Sequence, residues 1–429
     1  MNKKYFSDLD FTDNRVEVII VDIDGCLVAD DEEYMSPEFA DTLSRLSKNR
    51  EVFLLSNKKR HHRNKILAEK SGVAYLETNL RKPSFHLRKF LRDQIINFDH
   101  KTKMVIGDKY LTDGLFAKVI GADFFKVKRL IVENQSFVTK VIYFVDDLSF
   151  IFVCYLKLIR PVQWLKNGLI FAPIIFAHEF FDWDKLWQVG LGVVIFSMLA
   201  SGVYIFNDWW DTESDRLHPK KKNRPLASGA VSLERSLFLG VVLFLGSIFL
   251  TEYFFSNTTW LLILYIGLNI LYSSYLKRVV ILDIVTVAMF YLIRIIYGGL
   301  LINIPISDWL ILCTVSLAIF IVVGKRIGES QQIEKRLVLD SYPQDLLRGL
   351  LLVSSSLTIL SYAIYTISAS SSRFLVYSNI PVLVGIFSFL YLIYKEEDTE
   401  NPESLVFKNS GILFSVLSWL ALVGLAVYY

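Results

Sequence analysis

The rhythm of apolar positions changes once along the chain, near residue 150. Before that point, short apolar runs such as Val18 to Val21, Val52 to Leu55 and Met104 to Ile106 alternate with charged stretches, as buried strands between helices do. After it come nine long apolar segments, at about 165–181, 187–206, 234–254, 258–273, 280–301, 308–324, 346–367, 376–394 and 410–429. Each is close to the length an α-helix needs to cross a bilayer, the fourth being the shortest. The expectation is an α/β domain of the doubly wound, Rossmann-like kind over 1–145, an interfacial linker helix over 146–164, and an all-α polytopic bundle of nine transmembrane helices over 165–429. Within the linker, the apolar stretch Leu148 to Leu158 meets Lys157, Arg160 and Pro161, as suits a helix that lies in the membrane surface before the chain enters.

Lysine and arginine set the expected orientation. Loops after the second, fourth, sixth and eighth segments carry Lys220 to Arg224, Lys277 with Arg278, Lys325 and Arg326 with Lys335 and Arg336, and Lys395 with Lys408. The opposite loops hold little beyond Lys185 and Arg373. The basic side is then the cytoplasmic side of an inner (plasma) membrane. The N-terminal domain belongs there too, because Met1-Asn2-Lys3-Lys4 lacks the apolar core of a signal peptide. The 53% hydrophobic content averages two unlike parts, and a formal charge of +3 gives no ground for a nucleic-acid partner. Cys26, Cys154 and Cys313 are too scattered for a disulfide framework or a zinc cluster.

The second apolar segment closes on Asn207-Asp208-Trp209-Trp210-Asp211-Thr212-Glu213-Ser214-Asp215. Asp208, Asp211 and Asp215 fall at i, i+3 and i+7, on one side of a helix at a membrane surface. Carboxylate oxygens suit Mg²⁺, which keeps several waters and is completed by substrate phosphates, so a Mg-diphosphate is the expected ligand. His218-Pro219-Lys220-Lys221-Lys222-Asn223-Arg224-Pro225 then adds the cations that phosphate oxygens need. A solvated loop is the plainer account, but such a loop seldom repeats Asp at helical spacing. A second constellation follows in Tyr272 to Lys277, with Asp283 and Arg294 in the fifth segment. Ionisable groups inside an apolar span are costly and mark functional sites. Eleven residues apart, these two share a helix face but stand roughly 16 Å apart, too far to pair.

These residues resemble the UbiA-type intramembrane prenyltransferase superfamily, over about residues 155 to the C-terminus. The carriers are Asn207-Asp208-x-x-Asp211-x-x-x-Asp215, Arg224-Pro225 with Gly229, Tyr272 to Lys277, and Asp283. Within the superfamily the chain is most similar to the decaprenyl-phosphate phosphoribosyltransferases, through Arg160-Pro161-x-Gln163-Trp164-x-Lys166-Asn167, Asp215-Arg216-x-His218-Pro219-x-Lys221, Tyr272-Ser273-x-x-Leu276-Lys277, Phe290-x-x-x-Arg294 and Gly324-Lys325-Arg326-x-x-Glu329. The resemblance implies a nine-helix bundle, phosphoribosyl pyrophosphate as Mg-bound donor and a polyprenyl phosphate as acceptor. It also implies Asp208, Asp211, Asp215 and Asp283 as metal ligands, directly or through water. Lys221, Arg224, Lys277 and Arg294 become candidate phosphate holders, with Asn207 and Tyr272 lining the substrate site. Lys325 and Arg326 are equally explained by the positive-inside bias, and Lys166 and Asn167 by anchoring at the interface.

The N-terminal part has its own set. Val18 to Val21 delivers Asp22-Ile23-Asp24-Gly25 to the carboxyl edge of a sheet, where doubly wound domains place their ligands. Val52 to Leu55 leads to Ser56-Asn57, Lys82-Pro83 opens a helical stretch, and Met104 to Ile106 leads to Gly107-Asp108 with Asp113 following. One Asp-x-Asp is a weak signal, but these pieces in order resemble the haloacid-dehalogenase phosphatase superfamily over about residues 15–130. That resemblance implies Asp22 as the nucleophile that forms an aspartyl-phosphate, Asp24 as general acid and base, and Ser56 and Lys82 as phosphate holders. It implies a second Mg²⁺ site with Asp108 as ligand, Asp113 in support, and Asp22 and Asp24 beside them.

Fusion of the two parts suggests sequential chemistry, the phosphatase removing the 5-phosphate of the transferase product to leave polyprenyl-phosphoryl-ribose. Two other functions compete: prenyl transfer from a prenyl diphosphate to an aromatic or polar-lipid acceptor, and a lipid-binding or transport scaffold for the phosphatase. Prenyl length, the phosphatase substrate and homo-oligomerisation stay open.

Overall fold

The computed structural model describes residues 5–8, 16–30, 32–131, 135–217, 221–330, 337–368, 373–395, 405 and 409–428. The chain forms two compact units, one of Met1–Leu158 with Asp211–Ser236, the other of Ile159–Trp210 with Leu237–Tyr429. Expectations that fall on His218, Lys220, Lys335, Arg336 and Lys408 lie outside the described residues.

The first unit is built on a five-stranded parallel sheet in the order β3-β2-β1-β4-β5. The strands are β1 (Val18–Val21), β2 (Glu51–Leu54), β3 (Ala74–Tyr75), β4 (Lys103–Gly107) and β5 (Asp123–Lys126). Parallel strands need crossovers, supplied here by α1 (Pro37–Ser47), α2 (His61–Lys70), α3 (His86–Gln94) and α4 (Leu115–Ile120). Because side chains alternate across a strand, central β1 feeds two cores: Ile19 and Val21 pack with Phe39, Leu43 and Leu67, while Val18 and Ile20 pack with Leu87, Leu91 and Phe116. The expected doubly wound α/β architecture is present. A long helix, α5 (Phe137–Ile159), follows β5 and contains residue 145, where the composition shifts.

Among the described residues six helical stretches, in the second unit but for Leu233 to Ser236, are long and apolar enough to cross a membrane: Trp183–Trp210, Leu233–Ser274, Leu282–Leu301, Asp308–Ser330, Gln344–Ser368 and Phe374–Tyr394. Ser410–Ala426 is a shorter apolar helix. The expectation of nine separate spans is thus met in part: the C-terminal helix is the shorter one just named, and two local causes account for the rest of the difference. The first expected span, 165–181, is a 3-10 helix over Pro161–Phe171 and a five-residue α-helix over Ala172–Phe176. Pro173 has no N–H to donate and its ring crowds the carbonyl four residues back, so a regular α-helical ladder cannot run through this segment. The third and fourth expected spans form one run, Leu233–Ser274, interrupted by a 3-10 turn at Ser256–Thr258.

Among the described residues three apolar clusters fill this unit, one around Phe196, Leu262, Tyr265 and Tyr297, one around Phe320, Val323, Leu351 and Phe389, and a smaller one around Tyr362, Tyr365 and Val423. Gly298 shows how closely its backbones approach, since a Cβ there would stand 2.2 Å from the Ile170 carbonyl oxygen. Backbone cannot yield as a flexible side chain can. Gly298→Ala is expected to cost about 1–3 kcal/mol, read as a lower unfolding temperature of the detergent-solubilised protein.

Candidate active sites

In the first unit the sheet brings the sequence-predicted residues together. The ladder continues past the strands, with the Asp22 N–H donating to the Ile106 carbonyl (2.9 Å) and the Leu55 N–H to the Val21 carbonyl (3.0 Å), so three strand ends share one edge. Lys82 arrives from a loop, its backbone clamped by Asn57: the Lys82 N–H donates to Asn57 Oδ1 (2.7 Å) and Asn57 Nδ2 donates to the Lys82 carbonyl (3.1 Å). Its ammonium then lies 2.7 Å from Asp22 Oδ1 and 2.6 Å from Asp113 Oδ1. Asp24 turns aside, accepting from Ser56 Oγ (2.6 Å) and pairing with Arg63 (2.7 Å). Asp108 is held by Arg129, whose Nε donates to Oδ2 at 2.6 Å.

Carboxylate oxygens of Asp22, Asp108 and Asp113 lie within 4.8 Å of one another and are buried. Burial pushes the Asp113 carboxyl up to about 7, and the neighbouring Asp22 charge adds to the push. Burial also raises Asp108. Burial would lower the Lys82 ammonium, but the Asp113 and Asp22 charges outweigh it and hold Lys82 above its ordinary value. Lys82, Arg129 and, at 3.9 Å, Lys109 oppose the three carboxylates, yet Asp108 Oδ1 is left buried with no hydrogen-bond partner. Gly25, at φ +84°, fits beneath this carboxylate, since a Cβ there would meet Asp108 Oδ2 at 2.7 Å. A hard divalent cation fits this donor set, with Asp24 placed outside the triad.

The aspartate-rich motif divides between the units. Asp208 ends the helix Trp183–Trp210, Asp211 occupies the following turn, and Asp215 lies in the short helix Thr212–Leu217. Within the second unit Asp208 is buried and pairs with Arg160, while Asn207 Oδ1 accepts from Ser273 Oγ (3.2 Å). Within the first, Asp215 pairs with Arg224 at 2.6 Å, and Lys221 is exposed in the adjoining 3-10 turn. Asp211 presents a half-buried carboxylate.

The other polar residues of the second unit form two separate networks. Asp283, fully buried, pairs with Arg326 (2.8 Å) and accepts from the Tyr342 hydroxyl; Arg326 also reaches Glu329 (2.7 Å) and the Tyr272 hydroxyl (3.2 Å). Arg294 instead donates to Asn167 Oδ1 (2.7 Å), while Asn167 Nδ2 donates to Ser197 Oγ (2.8 Å). Phe196 and Tyr265 flank the guanidinium at 5.0 and 5.4 Å, and no carboxylate pairs with it among the described residues. Asp283 and Arg294 are indeed not partners of each other. Lys277 makes no hydrogen bond or ion pair among the described residues, Lys166 donates to Gln163 Oε1 (2.7 Å), and Lys325 lies 4.0 Å from Glu329. Arg63, Arg129 and Tyr342 entered no sequence argument. Their partners lie 39, 21 and 59 residues away, and no local spacing signals them.

A helical membrane unit with an Asp-rich helix end and, in the same chain, an α/β unit with a carboxylate and lysine site are the parts of a membrane transferase joined to a phosphatase-type domain. The UbiA prenyltransferase family model matches residues 169–412, and the chain belongs to that family. The mitochondrial PGP phosphatase model matches residues 4–131. The decaprenyl-phosphate phosphoribosyltransferase of Mycobacterium tuberculosis is 32% identical over 288 residues, covering 64% of this chain and 94% of that protein. The same enzyme of Mycolicibacterium smegmatis is 29% identical, with 64% and 92% covered. A UbiA homologue from Archaeoglobus fulgidus, solved with DMAPP and Mg²⁺, superposes with a TM-score of 0.50 at 19% identity, covering 64% of this chain and 98% of that one, which shows a shared fold.

Proposed function

We propose that the membrane unit transfers 5-phosphoribosyl from phosphoribosyl pyrophosphate to a polyprenyl phosphate, and that the first unit then hydrolyses the 5-phosphate of that product. The observation that carries the transferase reading is a 32% match running over 94% of a decaprenyl-phosphate phosphoribosyltransferase. In the transfer, a phosphate oxygen of the lipid forms a bond to ribose C1 as the C1–O bond to pyrophosphate breaks. Mg²⁺ held by Asp208, Asp211 and Asp215 would supply the charge that offsets the departing pyrophosphate. Lys277, Arg224 and Lys221 are suited to the phosphates, and Arg294 with Asn167 to a polar group of the substrate. Asp283 is better suited to fixing Arg326 than to ligating an ion, because both its oxygens are already engaged.

In the phosphatase, the Asp22 carboxylate attacks phosphorus and the leaving alkoxide takes the Asp24 proton. Water deprotonated by Asp24 then cleaves the aspartyl-phosphate, releasing phosphate and restoring Asp22. Lys82 and Ser56 hold phosphate oxygens throughout, and Asp22, Asp108 and Asp113 are the residues that would hold Mg²⁺. Both sites face the cytoplasm by the Lys/Arg distribution, in a nine-segment bundle that counts 161–176, the two halves of Leu233–Ser274 and the C-terminal helix as membrane-embedded. Donor competition tests the transferase reading: purified protein with Mg²⁺ and polyprenyl phosphate should release pyrophosphate from phosphoribosyl pyrophosphate. Transfer only from a prenyl diphosphate to an aromatic acceptor would replace it.

A further inference from the structure

Helix α5 lies beyond residue 131, where the phosphatase family model ends, yet it forms a wall of the phosphatase site. Tyr143, Asp146, Cys154 and Leu158 are its buried stripe, spaced by threes, fours and eights as one helix face is. Asp146 takes the Lys126 ammonium at 2.6 Å and the Leu111 N–H at 2.8 Å, and it lies 3.4 Å from Arg129, the same arginine that holds Asp108. The Tyr143 ring lies 3.8 Å from that guanidinium, and its hydroxyl bonds Asp30. A cation is thus shared between the inner stripe of α5 and a carboxylate of the buried triad.

The opposite stripe is apolar and uncovered by any described part of this chain. Phe137, Val141, Phe144, Leu148, Phe152 and Leu156 are all exposed, Phe144 by 68%. A helix with one face bound to an α/β domain through two buried ion pairs cannot cross hydrocarbon, because that domain would have to enter with it. The helix runs into Arg160-Pro161 and the membrane unit, with exposed Lys140 and Lys157 available to anionic headgroups. We infer that α5 seats the phosphatase unit in the bilayer interface, apolar stripe in the acyl chains, and that Asp146 and Tyr143 are positioning residues that share Arg129 with Asp108 and so hold part of its charge off that carboxylate. The partner is a lipid surface. The metal part of this inference rests on the phosphatase reading.

The test uses the full chain in nanodiscs containing phosphatidylglycerol. Phe144→Cys or Phe152→Cys is spin-labelled with Cys313→Ser, since Cys26 and Cys154 are buried. Oxygen accessibility well above that to a water-soluble nickel chelate is the expected result. Accessibility dominated by the chelate, or dipolar broadening from a second copy, would overturn the membrane seat. For the inner stripe, half-saturating Mg²⁺ is read twice, from the Mg²⁺-induced rise in unfolding temperature and from p-nitrophenyl phosphate hydrolysis. Asp146→Asn removes the nearer of the two α5 carboxylates from Arg129, Asp147 remaining at 3.9 Å, and should raise it at least about fivefold. Arg129→Gln should lower it, and Asp146→Glu should restore it. A lower unfolding temperature with unchanged Mg²⁺ dependence would reduce Asp146 to packing and overturn its positioning role. If the wild type hydrolyses nothing, the phosphatase reading fails, while the spin-label and thermal measurements still decide this one.

Discussion

Asp22→Asn is expected to cut phosphate release from a phosphomonoester by at least about a thousandfold while ribosyl transfer continues at the wild-type rate. An amide cannot attack phosphorus. Folding should survive, because Lys82 keeps Asp113 at 2.6 Å when the Asp22 charge is lost. Removing that charge also relieves the like-charge repulsion that helps to raise Asp113. The measurement is inorganic phosphate from a monoester alongside pyrophosphate from the transferase donor, on one preparation. Loss of both activities in a folded variant would contradict separate sites.

Asp208→Asn or Asp211→Asn should leave the protein folded and slow transfer at least about a hundredfold, equivalent to about 3 kcal/mol of transition-state stabilisation. Asp208 is the sharper case. It is buried against Arg160, itself partly exposed, so the arginine can turn to water when its partner is neutralised. Pyrophosphate release at limiting Mg²⁺ is the measurement, and near-normal turnover in either variant would place the metal elsewhere.

Strand ends were legible because a short apolar run followed by Asp or Ser is a local signal: Val18 to Val21 with Asp22, and Met104 to Ile106 with Asp108, appear as β1 and β4. Hydropathy counts apolar length, not helix continuity. It therefore read 165–181 as one span although Pro173 divides it into a 3-10 and a short α-helix, and it could not show that 234–273 runs on through a single turn. In α5 the acidic pair Asp146-Asp147 hid the helix, so only its apolar second half stood out as an interfacial segment. Least legible were the arginines. Arg160 on Asp208, Arg63 on Asp24 and Arg326 on Asp283 are pairings of 48, 39 and 43 residues' separation, set by tertiary packing alone. Asp24, Asp108, Asp208, Asp215 and Asp283, read in the sequence as metal ligands or acids, each have a guanidinium against them in the fold.

In the proposed function the two activities act in series on one lipid. The tether makes this economical, since short linkers place one site's product at millimolar effective concentration for the other. The direct measurement is mass spectrometry of the lipid formed by wild-type protein in nanodiscs supplied with phosphoribosyl pyrophosphate, polyprenyl phosphate and Mg²⁺. Accumulation of polyprenyl-phosphoryl-ribose, with one phosphate released per transfer, is the predicted result; an active preparation whose sole lipid product keeps its 5-phosphate would contradict it.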